Sequence, residues 1–169
     1  MFKNQLVLYF LSLAMLAFSQ AGRAATIAQT SDNSCALASD CETIGFVNGV
    51  TGSPLLSSAL ENESSVAFAS SDGLLEGQGN SVRRVSGGIS NLSISIPGFH
   101  FAEFLFRLQS NVATSVTITA YDAVGGATPQ TFNVSGNQRF RIQADSELIQ
   151  SVTLSSTGWI ASVSQMKIG

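Results

Sequence analysis

The sequence predicts an all-β protein, a two-layer antiparallel β-sandwich of jelly-roll-like form with a short N-terminal helix. From residue 66 onward, apolar and polar side chains alternate with a period of two, which is typical of strands that bury one face. Turn residues interrupt the alternation about every 8–12 residues, as at Gly87-Gly88, Pro97-Gly98 and Gly125-Gly126. About eight short strands without a long helix favour a sandwich or a barrel.

Residues 1–24 have the three-part pattern of a secretory signal peptide. Lys3 supplies the positive charge, residues 6–18 form the apolar region, and small residues precede Ala21 and Ala24. An uncleaved anchor is the alternative, but a membrane-spanning helix needs about 20 apolar residues. We therefore expect cleavage after Ala24, no membrane span in the remaining chain, and a secreted, periplasmic or cell-surface location.

The mature chain divides into a Ser/Thr-rich segment, residues 25–65, and the β-sandwich, residues 66–169. Cys35 and Cys41 are the only cysteines, and export to an oxidising compartment predicts a disulfide between them. Closing so short a loop by a disulfide stabilises the folded state by about 2 kcal/mol in the chain-entropy model. A closed zinc site needs four ligands, and two cysteines with one distant histidine do not supply them.

A short helix is expected within this N-terminal segment. Ser53 is a suitable N-cap and Pro54 a suitable first helical residue. The apolar residues that follow have helical spacing over two turns, namely Leu55, Leu56, Ala59 and Leu60.

The strands of the sandwich follow in order, and Ser135-Gly136-Asn137-Gln138 reads as a tight turn that joins two of them into a hairpin. The predicted strands lie at 66–70, 82–85, 89–96, 99–108, 116–121, 132–134, 140–142, 149–154 and 159–168. In these strands every second side chain is apolar and points to the same face. We therefore expect six residues in the core: Phe104, Phe106, Val116, Ile118, Phe140 and Ile142.

The charge argues against nucleic acid and anionic lipid as partners. Once Lys3 and Arg23 are removed with the signal peptide, 6 basic residues face 11 acidic ones, and no run of Lys or Arg occurs. Such partners are recognised by clustered positive charge.

The stretch from Val66 to Gly169 resembles the ectodomains of bacterial surface proteins of the PEP-CTERM/exosortase type. The resemblance implies a cell-surface or matrix setting and carries over no catalytic residue. Such proteins end in a sorting tail, and this chain stops at Gly169, so free secretion or periplasmic residence is expected in place of anchoring. The matching pieces are Ile94-Ser95-Ile96-Pro97-Gly98, Phe104-Leu105-Phe106, residues 116–122, residues 140–147, Ile149-Gln150-Ser151-Val152 and Gln165-Met166-Lys167-Ile168-Gly169.

Two groups of polar residues are candidate sites. Arg139 and Arg141 alternate with apolar neighbours and so share the solvated face of one strand, and Arg107 also points outward. With Tyr121 they would form a ligand patch for sugars or carboxylates if the strands are neighbours; the alternative is an ordinary solvated face. Oxygen-rich turns bind hard cations, which makes Asp122, Asp145 and Glu147 a candidate calcium site, or else solvated turn residues.

Three functions are compatible with these features. The favoured one is a non-enzymatic surface or extracellular-matrix protein that binds polysaccharide. The second is a structural or assembly module that binds another protein. The third, a secreted hydrolase, is disfavoured because His100 is the sole histidine and no nucleophile elbow occurs.

Overall fold

The computed structural model describes residues 25–37 and 41–169, and the predicted signal peptide lies outside them. Within these residues the regular structure is entirely β, which confirms the predicted class. No helix in this part of the chain has the length and apolar character needed to cross a bilayer. The strands are β1 (Ala25–Gln29), β2 (Glu42–Thr43), β3 (Thr51–Gly52), β4 (Leu55–Leu56), β5 (Ala67–Ala69), β6 (Leu75–Gln78), β7 (Ser81–Arg84), β8 (Ile89–Ser95), β9 (Glu103–Asp122), β10 (Ala127–Ala144), β11 (Ile149–Ile160) and β12 (Ser162–Ile168).

The strands form one hydrogen-bonded sheet that folds into two layers. Strands β9 and β10 pair along nearly their whole length, and each belongs to both layers. The first layer runs β3-β6-β7-β12, the N-terminal half of β9, the C-terminal half of β10, and β1, with β2 also on β12. The second layer runs β4-β5-β8-β11, then the C-terminal half of β9 and the N-terminal half of β10. A jelly-roll connectivity stays a prediction.

The two long strands cross between the layers at one irregularity. Thr114 pairs with Val134 and Ser110 pairs with Gly136, so residues 111–113 bulge opposite a single residue of β10. The predicted tight turn at 135–138 is therefore wrong, because the chain continues in the same direction through it. At this irregularity Gly136 has a φ of +67°, a backbone angle that favours glycine because glycine has no Cβ.

The core lies between the layers. The six residues that the alternation assigns to it are all fully buried, which confirms the predicted parity. Aromatic rings join the layers directly: the ring centroids of Phe46 and Phe68 are 5.2 Å apart, and those of Phe132 and Phe140 are 5.0 Å apart. Such contacts favour edge-to-face or tilted geometries, as found here.

The predicted helix beginning at Ser53 is wrong, since the chain forms β3 and β4 there. Leu55 is buried opposite Phe68 on β5, whereas Leu56 points outward. The Ser53 hydroxyl does not cap a helix; it donates to the carbonyl oxygen of Ser70 at 3.0 Å. Two turns of helix are too short to be stable alone, so pairing with β5 and burial of Leu55 decide the structure.

Candidate functional site

The three predicted arginines lie together on the outer face of the first layer. Arg107 on β9 pairs with Arg139 on β10, and Arg141 follows two residues later on the same face. Tyr121 lies at the far end of β9, within the second layer, where it pairs with Ala127 and Ser151. The structure therefore brings together the arginines, here called the arginine face, and leaves Tyr121 apart from them.

The arginine face is occupied by the chain itself. Residues 30–37, here called the N-terminal strap, cross the outer side of β10, β9 and β12. Their carbonyl oxygens accept hydrogen bonds from terminal nitrogens of the basic side chains beneath them, whereas the Nε atoms of Arg107, Arg139 and Arg141 are buried without a hydrogen-bond partner. The bonds are Arg139 Nη1 to Ser31 at 3.0 Å, Arg141 Nη2 to Ser34 at 2.7 Å, and Lys167 Nζ to Asn33 at 2.6 Å.

Glu103 anchors the strap from below. Its side chain has no exposed surface, and its carboxylate accepts the backbone N–H groups of Ala36 and Leu37 at 2.8 Å. Arg141 Nε lies 3.1 Å from Glu103 Oε1, close enough for an ion pair although the angle is poor for a hydrogen bond. A single carboxyl inside an apolar run, as at residues 101–106, is the sequence signal that could have identified this anchor.

The predicted disulfide closes the end of the strap. Cys35 and Cys41 are bonded, with their Cα atoms 6.0 Å apart. The disulfide ring begins directly before Ala36, so it holds the two N–H groups that Glu103 binds. The strap and its anchor are best explained as structural.

The candidate calcium residues are placed in two neighbouring turns. Asp122 is buried and caps its own turn, since its Oδ1 accepts the N–H groups of Val124 at 3.0 Å and Gly126 at 2.6 Å. Asp145 accepts the Thr26 hydroxyl, and Glu147 is exposed. Across residues 25–37 and 41–169, no three acidic, His or Cys side chains converge as metal ligands. Calcium binding stays a prediction.

A different site is formed where the strands cross between the layers. The bulge at residues 111–113 of β9 lies beside a second bulge at residues 156–159 of β11, opposite Ser90 of β8. Between them is an open groove of about 500 Å³. Bulges often aim side chains out of a sheet at functional sites.

Trp159 is the main feature of this groove. It is the sole tryptophan of the chain, and 65% of its surface is exposed. Arg83, Arg84, Asn111 and Val112 line the same groove. The site, here called the Trp159 groove, thus combines an exposed indole with guanidinium and amide groups that can donate hydrogen bonds.

Two buried residues position the indole. A Cβ on Gly88 would lie 2.4 Å from Trp159 Cβ, so the tryptophan packs against bare backbone. The buried Ser110 hydroxyl donates to Val112 O at 2.6 Å and lies 3.1 Å from Trp159 O, which links the two bulges. The groove is therefore preformed by short, specific contacts.

Sequence reasoning missed the Trp159 groove because Trp159 was assigned to the start of a regular last strand. In the structure β11 ends at Ile160 and β12 begins at Ser162, so residue 159 lies in a bulge. The neighbouring Gly158 and the Gly87-Gly88 pair were signals of irregular backbone, but they do not reveal which strands meet.

A second, smaller groove of about 480 Å³ surrounds Phe99 and His100. Phe99 is partly exposed, and Gln150 and several serines complete the lining. A phenyl ring offers no N–H donor, and this lining has no guanidinium group. It offers hydroxyl, amide and imidazole groups beside a phenyl ring, whereas the Trp159 groove offers two guanidinium groups beside an indole.

Comparison with protein-family models gives no match, and no curated protein matches the chain. Among solved structures, the chain aligns weakly with two variants of CBM29-2, a family 29 carbohydrate-binding module studied for ligand recognition. Both alignments have 12% sequence identity and cover 85% of this chain, with 87% and 88% of the other chain and TM-scores of 0.28 and 0.27. Similarity this weak does not indicate a function, so the function is argued from the residues of this chain.

Proposed function

We propose that this chain is an exported, non-enzymatic surface or extracellular-matrix protein that binds polysaccharide at the Trp159 groove. The observation that carries the proposal is the 65% exposure of Trp159 in a groove preformed by Gly88 and Ser110. Leaving so much indole in water is unfavourable, and a sugar ring stacked on it would remove apolar area from water at about 25 cal/mol per Å².

The groove also supplies partners for sugar hydroxyls. The Arg84 guanidinium donates one bond to Gly88 O at 3.0 Å and retains further N–H groups. The Asn111 amide makes no hydrogen bond with the described part of the chain. An aromatic wall with a few fixed polar groups is the usual composition of a ligand site.

Binding of another protein by strand addition is less well supported, because the sheet edges at β3, β4 and β10 are short or polar. Strands β3 and β4, at two of the edges, have two residues each. The N-terminal half of β10, at a third edge, contains Pro129, Gln130 and Asn133. Proline and polar side chains discourage edge-to-edge pairing.

Export is part of the proposal. The Cys35–Cys41 disulfide fits an oxidising compartment. The cell-surface or matrix setting rests on the resemblance of residues 66–169 to PEP-CTERM ectodomains and stays a prediction.

The test is retention of the mature chain on a panel of polysaccharides, namely cellulose, β-glucan, xylan and polygalacturonate. We expect at least one to retain the protein and Trp159→Ala to abolish retention without changing the thermal unfolding midpoint, since the side chain is mostly exposed. Phe99→Ala is the matched control, an exposed aromatic outside the groove. No retention on any polymer, or equal retention by Trp159→Ala, would overturn the proposal. Loss with Phe99→Ala alone would move the site to the second groove and also overturn it.

A further inference from the structure

The basic side chains of the mature chain are divided between two places. Six Lys and Arg residues follow residue 24. Four lie on the outer face of the first layer, and the N-terminal strap bonds to three of these, Arg139, Arg141 and Lys167. The remaining two, Arg83 and Arg84, both line the Trp159 groove. A chain with an excess of acidic residues thus places its two remaining cations at one open site.

The positive charge of the groove is only partly compensated. Arg83 pairs with Glu76 at 3.0 Å, but 49% of the Arg83 side chain is exposed, and such pairs are weak. Arg84 has no carboxylate within ion-pair distance in the described part of the chain, and its Nε is buried without a hydrogen-bond partner. No Asp or Glu among residues 25–37 and 41–169 lines the groove. Its net charge is therefore positive.

The Arg84 guanidinium is held in one position by its neighbours and does not extend freely into solvent. Its Nη1 donates to Gly88 O, and a Cβ on Gly73 would lie 3.1 Å from Nη2 and one on Gly87 3.3 Å from Nη1. Glycines on both sides leave space for the planar group beside the backbone that also supports Trp159. A fixed guanidinium loses little entropy when it binds a planar anion.

We propose that the Trp159 groove selects an acidic polysaccharide, with a uronate ring stacked on Trp159 and its carboxylate on Arg84. The indole provides the apolar platform, and the guanidinium provides paired donors whose geometry matches a carboxylate. Arg83 adds long-range attraction at the open side. This inference rests on the proposed function and adds the charge of the ligand to it.

The test compares three probes by titration at physiological ionic strength: polygalacturonate, the same polymer after reduction of its carboxyl groups, and dextran sulfate. We expect polygalacturonate to bind at least about tenfold more tightly than its reduced form, as for loss of a charge-assisted hydrogen bond. Dextran sulfate should bind more weakly than polygalacturonate. Arg84→Gln should remove the preference for the acidic polymer, and Arg84→Lys should restore part of it. Arg107→Gln is the matched control, because it removes an equal charge outside the groove.

The outcomes separate this inference from the proposed function. Equal affinity for acidic and reduced polymers, with both lost in Trp159→Ala, overturns the charge selectivity and leaves the groove as a polysaccharide site. Binding of neither polymer, with no retention on the other polysaccharides, overturns both. An equal loss in Arg84→Gln and Arg107→Gln, or tighter binding of dextran sulfate, would mean that charge alone is recognised and would also overturn it.

Discussion

Gly88 determines where the Trp159 ring lies, because the space of its missing Cβ is filled by the tryptophan. A Cβ there would meet Trp159 Cβ at 2.4 Å, Cγ at 3.0 Å and the carbonyl oxygen of Ile160 at 3.1 Å. A site built at a strand crossing depends on such close backbone contact. The requirement is steric, since it arises from the neighbouring strand and not from the glycine backbone angle.

Gly88→Ala should therefore displace the indole and weaken polysaccharide binding at least about tenfold, at a cost in stability of about 1–3 kcal/mol for overpacking. Titration with the retained polysaccharide and urea unfolding measure the two effects. Gly45→Ala is the matched control, because the nearest atom to its Cβ is 4.0 Å away. Unchanged affinity in Gly88→Ala would contradict the positioning role.

Asp72 forms a second structural contact at residue scale, in the turn before β6. Burial raises its pKa, but hydrogen bonds from the N–H groups of Asn91 and Ser90 and from their side chains outweigh it and lower the pKa from 3.8 to about 2. Its carboxylate thus fastens the turn between β5 and β6 to β8.

A lowered folded-state pKa stabilises the protein above the unfolded pKa, and this contribution is lost as the pH falls from about 4 to about 2. Its size is about 1–2 kcal/mol after allowance for solvent at a partly exposed site. Asp72→Asn should lower the free energy of unfolding at pH 6 by that amount and flatten its decline between pH 4 and pH 2. Urea unfolding across this range is the measurement. Parallel curves for the two proteins would contradict the assignment.

At the scale of elements, the N-terminal strap and the first layer form one interlocked unit. Glu103 on β9 holds both the strap and Arg141 on β10, so three segments distant in sequence meet at one carboxylate. The Arg141 side chain is only 15% exposed. Without Glu103, this largely buried guanidinium would keep only the exposed Asp32 carboxylate, whose Oδ2 lies 3.6 Å from Arg141 Nη2.

Glu103→Gln should lower the free energy of unfolding by about 3–5 kcal/mol, the range for breaking a buried ion pair. Glu76→Gln is the matched control; it breaks the exposed pair with Arg83 and should cost less than about 1 kcal/mol. Urea unfolding gives both values. Amide hydrogen exchange at Ala36 and Leu37 should accelerate in Glu103→Gln alone, because these N–H groups bind Glu103. Unchanged exchange at both amides would show that Glu103 does not anchor the strap.

At the scale of the whole molecule, the alternation of side chains predicted the β class and the core. Phe104, Phe106 and Phe140 are buried as expected, because the direction of a side chain along a strand is a local property. Whereas the position of Arg107 beside Arg139 and Arg141 depends on the pairing of β9 with β10, the latter two share a face for the same reason. That part of the fold could be predicted from one sequence.

The rest depended on contacts between distant segments. The bond from Arg141 to Ser34 joins residues 107 positions apart, and nothing local indicates that the strap covers the arginine face. A bulge is a mismatch between paired strands, so neither strand alone reveals it, and Trp159 could not be recognised as exposed. The tight turn at 135–138 and the helix at Ser53 were wrong because pairing with β9 and β5 overrides local turn and capping signals.

The central claim is that Trp159 contacts the polysaccharide, and its own fluorescence tests this most directly. Because the chain has a single tryptophan, all tryptophan emission, excited selectively over Tyr121, comes from this side chain. Titration with polygalacturonate should shift the emission to shorter wavelength and reduce quenching by iodide, both saturably and with the affinity measured by calorimetry. Binding seen by calorimetry with emission and iodide quenching unchanged would place the ligand elsewhere and contradict the account.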